Sequence, residues 1–353
     1  MKILFGDRGR VSRDDVLWCH RVLLGREPES DEVVDSHLGA RSFRELVERF
    51  VVSVEFSTRT TGVPFAQAPA AAQATNSTRL VSIKDNDALN MAEFRAGVLR
   101  VSSTPRMLTL ETTSRCNLRC VMCPHAINAV DRPKNLEVPL IEALERFIGQ
   151  AKSIQLHGIG EPLASPAFWS SLKYLPDGCD SSINSNFTVL DDRRLCNLVE
   201  SKIRVVNVSL DAATAETYQR IRGFSFETVL GNVRRFIEKR RNSGHRTPLL
   251  YLNMTMMRSN IEELPSFVEL AAELGADKVC LWHLNRWPDK EMARYRITRD
   301  AWKFDYAKEG LWNFPALSNQ LLREAQAVAR ARGITIYLDE NKTVFFEEAG
   351  SLS

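Results

Sequence analysis

From about residue 105 onward, short runs of β-type residues alternate with stretches whose apolar positions recur every three or four residues. MLTLETT precedes a helical pattern over 138–150, SIQLH one over 165–175, SSIN one over 191–201, RVVNVSL one over 226–241 and LYLNMTM one over 261–274. KVCLW follows, and an amphipathic stretch over 317–332 leads into ITIYL. Six such alternations predict an α/β fold, a parallel sheet joined by right-handed crossovers and curved into a partial (β/α)6 TIM-like barrel. In that architecture chemistry is built at the C-terminal ends of the strands.

The first part of the chain has a different pattern. Apolar residues at helical spacing (Val16, Leu17, Val22, Leu23, Leu24, then Phe43, Leu46, Val47, Phe50, Val51) are interrupted by Gly25, Pro28 and Gly39. A small all-α domain is expected over 1–60. The run TTGVPFAQAPAAAQATNSTR is poor in bulky apolar residues and charge, so 61–79 reads as a linker. The barrel is then expected over 80–300 and a helix-and-strand extension over 301–353. LLGREPESDEV followed by SFRELVERFVVSVEFSTR resembles the DUF4214-like helical module, which carries no chemistry of its own.

Charge changes this picture little. The chain holds 47 Lys and Arg against 44 Asp and Glu, a net charge of +3 dispersed along 353 residues, so neither nucleic acid nor a membrane surface is an expected partner. No sustained apolar run long enough to span a bilayer is present, and a cytoplasmic location is expected. Cysteine usage is more informative. Three of the seven cysteines fall within eight residues, a pattern suited to metal binding in a reducing compartment and unsuited to a disulfide scaffold.

Those three stand directly after the first strand, in ETTSRCNLRCVMCPH, giving C-x3-C-x2-C at Cys116, Cys120 and Cys123. Three thiolates on one loop suit an iron–sulfur cluster. A structural zinc ion asks for four closed ligands, and His125, the nearest fourth, lacks the usual paired spacing. The motif, its place after the first strand and the preceding ETTSRCNL resemble the radical S-adenosylmethionine (radical SAM) superfamily over roughly residues 105–290. The resemblance implies one [4Fe-4S] cluster with an open iron that binds S-adenosyl-L-methionine, reductive cleavage to a 5′-deoxyadenosyl radical, and an electron donor such as flavodoxin or ferredoxin.

Further segments match the family at successive strand ends. Met122, just before the third cysteine, maps to the residue that touches adenine. HGIGEP resembles the GGEP-type turn, with Ile159 in place of the first of the paired glycines; Gly158 and Gly160 allow close backbone approach, and Glu161 suits the methionine ammonium. INSNF places Asn184, Ser185 and Asn186 at the third strand end, and VNVSLDA, similar to ISLDG, places Ser209 and Asp211 at the fourth. Asp211 also reads as a helix-start signal. TYQRIRGFSFETV resembles a YxxIRG segment in which an arginine holds the cofactor's carboxylate; Arg222 is the choice and Arg220 the competitor. Asn253 lies on the fifth strand where the family uses a polar contact, while Asn260 reads as an N-cap in a capping box with Glu263.

Cys280 is the last cysteine, so no cysteine-rich SPASM extension with auxiliary clusters is expected, and no cobalamin segment is seen. Cys280, Trp282 and Leu284 alternate with Val279, Leu281 and His283 along the sixth strand, so one set faces inward. His283, Arg286 and Trp287 are candidates to line a substrate pocket. An inward Cys280 would be the hydrogen-atom donor of a carbohydrate epimerase; facing otherwise it is an ordinary buried apolar side chain. The expected function is hydrogen-atom abstraction from a sugar or glycosylated natural product. Dehydrogenation, decarboxylation or peptide modification is the enzymatic alternative, and a metal-binding interaction protein the non-enzymatic one. Cys19, Cys179 and Cys196 read as isolated structural thiols.

Overall fold

The computed structural model describes residues 11–24, 26–51, 53, 55, 82–98 and 100–338. The chain falls into two compact units, Met1–Arg79 with Met91–Val101, and Leu80–Asn90 with Ser102–Ser353. The first contains the helices Arg13–Leu23, Asp31–His37 and Phe43–Val51. Ser12 begins the first of them with a capping box to Asp15. Val16, Cys19, Leu24, Val34, Leu46 and Phe50 form this unit's core with Leu17, Leu23, Phe43 and Val47 packed against it, whereas Val22, also at helical spacing, is 58% exposed. The expected linker over 61–79 lies outside the described residues.

The second unit is built on strands β1 (Met107–Thr109), β2 (Ser153–Gln155), β3 (Asp180–Ser185), β4 (Val205–Ser209), β5 (Leu249–Met256) and β6 (Lys278–His283). A hairpin of β7 (Arg296–Arg299) and β8 (Trp302–Asp305) follows, and then β9 (Ile336–Leu338). β1 to β6 and β9 form one sheet in chain order, every neighbouring pair parallel. Among the described residues the sheet therefore has seven strands where the alternation count predicts six. ITIYL supplies the seventh by pairing Val279, Cys280 and Leu281 with Ile336, Tyr337 and Leu338.

Helices connect the strands near the expected places, with differences at their ends. The stretch over 138–150 is two helices, Val138–Ala143 and Glu145–Gln150, parted at Leu144 where ψ is 0°. That over 165–175 is Pro166–Ser171 with a 3-10 turn after it. The helix Ala215–Arg222, capped by Thr214, and the β7–β8 hairpin were not foreseen from periodicity. Among the described residues no helix is long and apolar enough to cross a membrane.

The two faces of the sheet differ sharply. Ile154, Ile183, Val206, Val208, Leu252 and Leu281 point one way and are almost wholly buried in the main core with the helices. Alternate residues point the other way, into the lumen. A parallel sheet packed on both faces would read as continuous apolar runs. Here the lumen positions include Gln155, Asn184, Asn207, Ser209 and Asn253, so this face is left to polar groups. Register aligns Ser209, Asn253, Cys280 and Tyr337 as one row across β4, β5, β6 and β9.

One local expectation is corrected. Asn260 is not the side-chain cap of a capping box. Its amide instead donates to the carbonyls of Asp211 and Thr255 at 2.9 Å each, and its Oδ1 accepts from Met257 N at 2.7 Å. Glu263 reaches away to Ala213 N, Thr214 N and Thr214 Oγ1. Asn260 thus joins the end of β5 to Asp211 after β4, and Glu263 caps the segment before the helix Ala215–Arg222.

Candidate active site

The loop carrying Cys116, Cys120 and Cys123 leaves β1 and is fastened before its first cysteine. Thr113 bridges to Asn135 through the backbone and donates Oγ1–H to Asn135 Oδ1 at 2.7 Å. Arg115 N donates to Thr113 Oγ1 at 2.9 Å. Farther along, Val121 N donates to Ile221 O at 3.0 Å, tying the loop to the end of the helix Ala215–Arg222.

All three cysteines are free thiols, and N–H groups are aimed at their sulfurs. Cys116 Sγ accepts from Leu118 N at 3.5 Å and Asn186 Nδ2 at 3.7 Å, and Cys120 Sγ from Arg222 Nη1 at 3.4 Å. Burial pushes the Cys116 thiol up and the Cys123 thiol up to about 11, while the Arg222 guanidinium opposes the rise at both. N–H donors and a cation around clustered sulfurs are the surroundings that thiolates bound to iron require. Among the described residues no three His, Cys, Asp or Glu side chains converge tightly enough for a single metal ion. A cubane differs in that each thiolate binds its own iron, so the sulfurs stand apart. The donor set fits the cluster.

HGIGEP packs directly against this loop. A Cβ on Gly160 would run into the carbonyl oxygens of Thr113 and Arg115, and Glu161 N donates to Arg115 O at 2.8 Å. A Cβ on Gly158 would collide with the side chain of Glu111, whose carboxylate accepts from Ile159 N at 2.7 Å. Close approach of backbone thus requires glycine at 160, at 158 the Glu111 side chain would have to move, and Ile159, 46% exposed, needs no such room. Glu161 is buried and accepts from Leu163 N at 3.0 Å, Ser185 Oγ at 2.8 Å and Asn186 N at 2.7 Å. Burial raises its pKa, and those donors pull against the rise. The third strand end therefore splits: Ser185 and Asn186 hold Glu161, and Asn184 lies in the lumen beside Asn207.

Asp211 and Arg222 form a second fixed group. Asp211, 1% exposed and at φ 62°, accepts from Thr255 N at 2.7 Å through Oδ1 and is ion-paired with Arg222 through Oδ2. Arg222 so joins Asp211 to Cys120. Asp211 is not a helix cap, since Thr214 takes that place. Arg220, the competitor, lies on the exposed side of its helix paired with Glu216. Ser209 and Asn253 sit together on the lumen face, Asn253 buried with no hydrogen-bond partner for Oδ1. Met122 is partly buried with Val121, Ile221 and Tyr295.

Sequence reasoning missed two residues. Glu111 lies inside ETTSRC itself, and its distance from HGIGEP in the chain hid the link. Arg299, on the unforeseen hairpin, donates to Arg119 O at 2.6 Å, Arg220 O at 2.8 Å and Gln219 O at 3.3 Å. One guanidinium thereby clamps the cysteine loop to the carbonyl end of a helix, where a cation is favoured.

Cys280 lies on the lumen face beside Asn253, and it is 4% exposed. Burial pushes its thiol up to about 12, so it stays an S–H at neutral pH. Trp282 and Tyr337 share that face at 37% and 39% exposure, their ring centroids 5.9 Å apart.

Comparison with known proteins places this geometry. The family model described as "Radical SAM superfamily" matches residues 110–271. A tungsten-containing aldehyde ferredoxin oxidoreductase cofactor-modifying protein of Pyrococcus furiosus is 28% identical over 184 residues, 51% of each chain. An AdoMet-dependent heme synthase of Methanosarcina barkeri is 30% identical over 187 residues, 51% of this chain and 50% of that one. The matched part spans about half the length of these curated relatives. Among solved structures, SuiB of Streptococcus suis bound to its precursor peptide SuiA aligns with a TM-score of 0.52 at 13% identity, covering 93% of this chain and 65% of that one, a likeness of fold.

Proposed function

Residues 110–271 are a domain of the radical SAM superfamily, and from that premise we propose that this enzyme abstracts a hydrogen atom from a sugar or glycosylated natural product and epimerises the carbon, with Cys280 returning hydrogen. Cys116, Cys120 and Cys123 hold one [4Fe-4S] cluster. With S-adenosyl-L-methionine bound to it and an electron from a flavodoxin- or ferredoxin-class donor, this pair supplies a 5′-deoxyadenosyl radical. Glu161 and Gly160 receive the methionine amino end, Arg222 its carboxylate end, and Asp211 keeps Arg222 in place. Met122 lies against the adenine. Asn184, Ser209 and Asn253 offer polar contacts from the lumen wall.

The observation that carries the reading is Cys280, a buried, protonated thiol on the lumen face in the row of Ser209 and Asn253. The bound cofactor would supply the acceptor for one hydrogen atom of a substrate C–H, with 5′-deoxyadenosine as its product. The carbon radical then takes the S–H hydrogen of Cys280 from the opposite face, inverting the centre and leaving a thiyl radical. One electron from the external donor and one solvent proton restore the thiol.

Anaerobic reconstitution followed by dithionite and S-adenosyl-L-methionine tests the first half: 5′-deoxyadenosine is expected from the intact chain and none from Cys120→Ala. Undiminished release by that variant would refute the cluster assignment. Product formed in heavy water should carry one deuterium at the inverted carbon, and turnover without label, or an indifferent Cys280→Ala, would remove Cys280 from the reaction.

A further inference from the structure

The lumen wall around Cys280 carries two exposed aromatic rings beside its polar groups. In its row stand Asn253 on one side and Tyr337 on the other, and the next lumen-facing position along β6 is Trp282, level with Thr255. These neighbours are uncharged. The nearest charged residue on the strand, Lys278, is on the same face at the N-terminal end of β6, away from Trp282; its ammonium lies 5.0 Å from the ring centroid of Tyr251 and acts on the Cys280 thiol. Exposed indole and phenol rings on an otherwise polar wall are costly to leave in water, and both are more than one-third exposed although Val279 and Leu281, on the opposite face of β6, are buried.

We infer that Trp282 and Tyr337 form a stacking platform that holds the ring of a neutral pyranose against the Cys280 thiol. A pyranose has one face of weakly positive C–H groups and a rim of hydroxyls. The negative face of an aromatic ring attracts the former, and a hydroxyl side chain such as Thr255, level with Trp282, pairs with the latter. The rings are tilted by 58°, forming a shallow angle rather than a slot, so one ring of the substrate rests on Trp282 while Tyr337 borders it next to Cys280. This deepens, and rests on, the epimerase reading: it states which residues select the substrate and that the substrate's reacting unit is an uncharged sugar ring.

The test uses the full chain, reconstituted with its cluster and supplied with S-adenosyl-L-methionine, titrated with methyl glucopyranoside and methyl galactopyranoside and followed by saturation-transfer difference NMR. The ring C–H protons of at least one glycoside should receive saturation. Trp282→Ala should weaken that binding about tenfold, and Tyr337→Ala should weaken it in the same direction. Trp282→Phe should retain it, which guards against loss through misfolding, and Trp18→Ala, which removes an exposed indole of the helix Arg13–Leu23, should leave it unchanged. Absence of saturation for both glycosides, undiminished binding by Trp282→Ala, or equal loss in Trp18→Ala would overturn the inference. Measuring 5′-deoxyadenosine in matched anaerobic samples after addition of dithionite separates the two claims. Its formation without glycoside binding refutes the platform alone, whereas glycoside binding without it refutes the reaction and leaves the platform standing.

Discussion

Replacing Arg222 by Met isolates what the Asp211–Arg222 pair contributes. Methionine keeps the length and apolar stem of arginine but removes the guanidinium. Asp211, at 1% exposure, would then keep a single charge-compensating contact, the N–H of Thr255 at 2.7 Å. Stranding one member of a buried ion pair costs about 3–5 kcal/mol, a large share of the roughly 5–15 kcal/mol that separates folded from unfolded states. With a urea slope of about 3 kcal/mol per molar, the midpoint should fall by roughly 1 to 1.7 M. The assay is urea unfolding of the metal-free, fully reduced chain under anaerobic conditions, read by tryptophan fluorescence. Adding Asp211→Asn to Arg222→Met removes the stranded charge and should recover more than half of the loss. A cost for Arg222→Met below about 1 kcal/mol, or a double variant no more stable than the single one, would show that the pair is not the brace described above.

Three further outcomes are expected. Gly160→Ala drives a methyl group into the backbone carbonyls of Thr113 and Arg115, costing about 1–3 kcal/mol and sharply lowering iron and sulfide incorporation; Gly178→Ala, with open space around it at φ +79°, should leave iron content normal. Arg299→Ala should change global stability by less than about 1 kcal/mol yet shorten the lifetime of the reconstituted cluster in air, followed as loss of its visible absorbance, because the clamp on Arg119 O is gone. Burial raises the thiols of Cys280 and Cys179 from 9.0 to about 12 and about 11. Above 9.0 the unfolded chain therefore binds fewer protons than the folded one, and stability falls as pH rises. Urea midpoints of the apo chain at about pH 8 and about pH 10 should show this, with a flatter slope in Cys280→Ala; an unchanged slope would contradict the burial of that thiol.

By itself the sequence determined the elements and the reactive motif. Period-2 and period-3.6 patterns are local properties, so the strands, most helices and the parallel order were legible, and C-x3-C-x2-C with HGIGEP announced a cluster loop and the turn beside it. Only the tertiary structure decided which groups those motifs meet. Asn260 has the spacing of a capping box, yet the convergence of two strand ends gives its amide to Asp211 and Thr255. Arg222 resembled a cofactor clamp in the linear reading, and folding also places it between Asp211 and Cys120. Arg299 and Glu111 carried no signal, because a hydrogen bond to a backbone carbonyl or N–H demands no particular residue from its partner. Alternation along β6 allowed Cys280 either face. The choice was made by pairing with β5 and β9, where the apolar set had to be buried against the helices, leaving the thiol, with Trp282 and Tyr337, to the lumen.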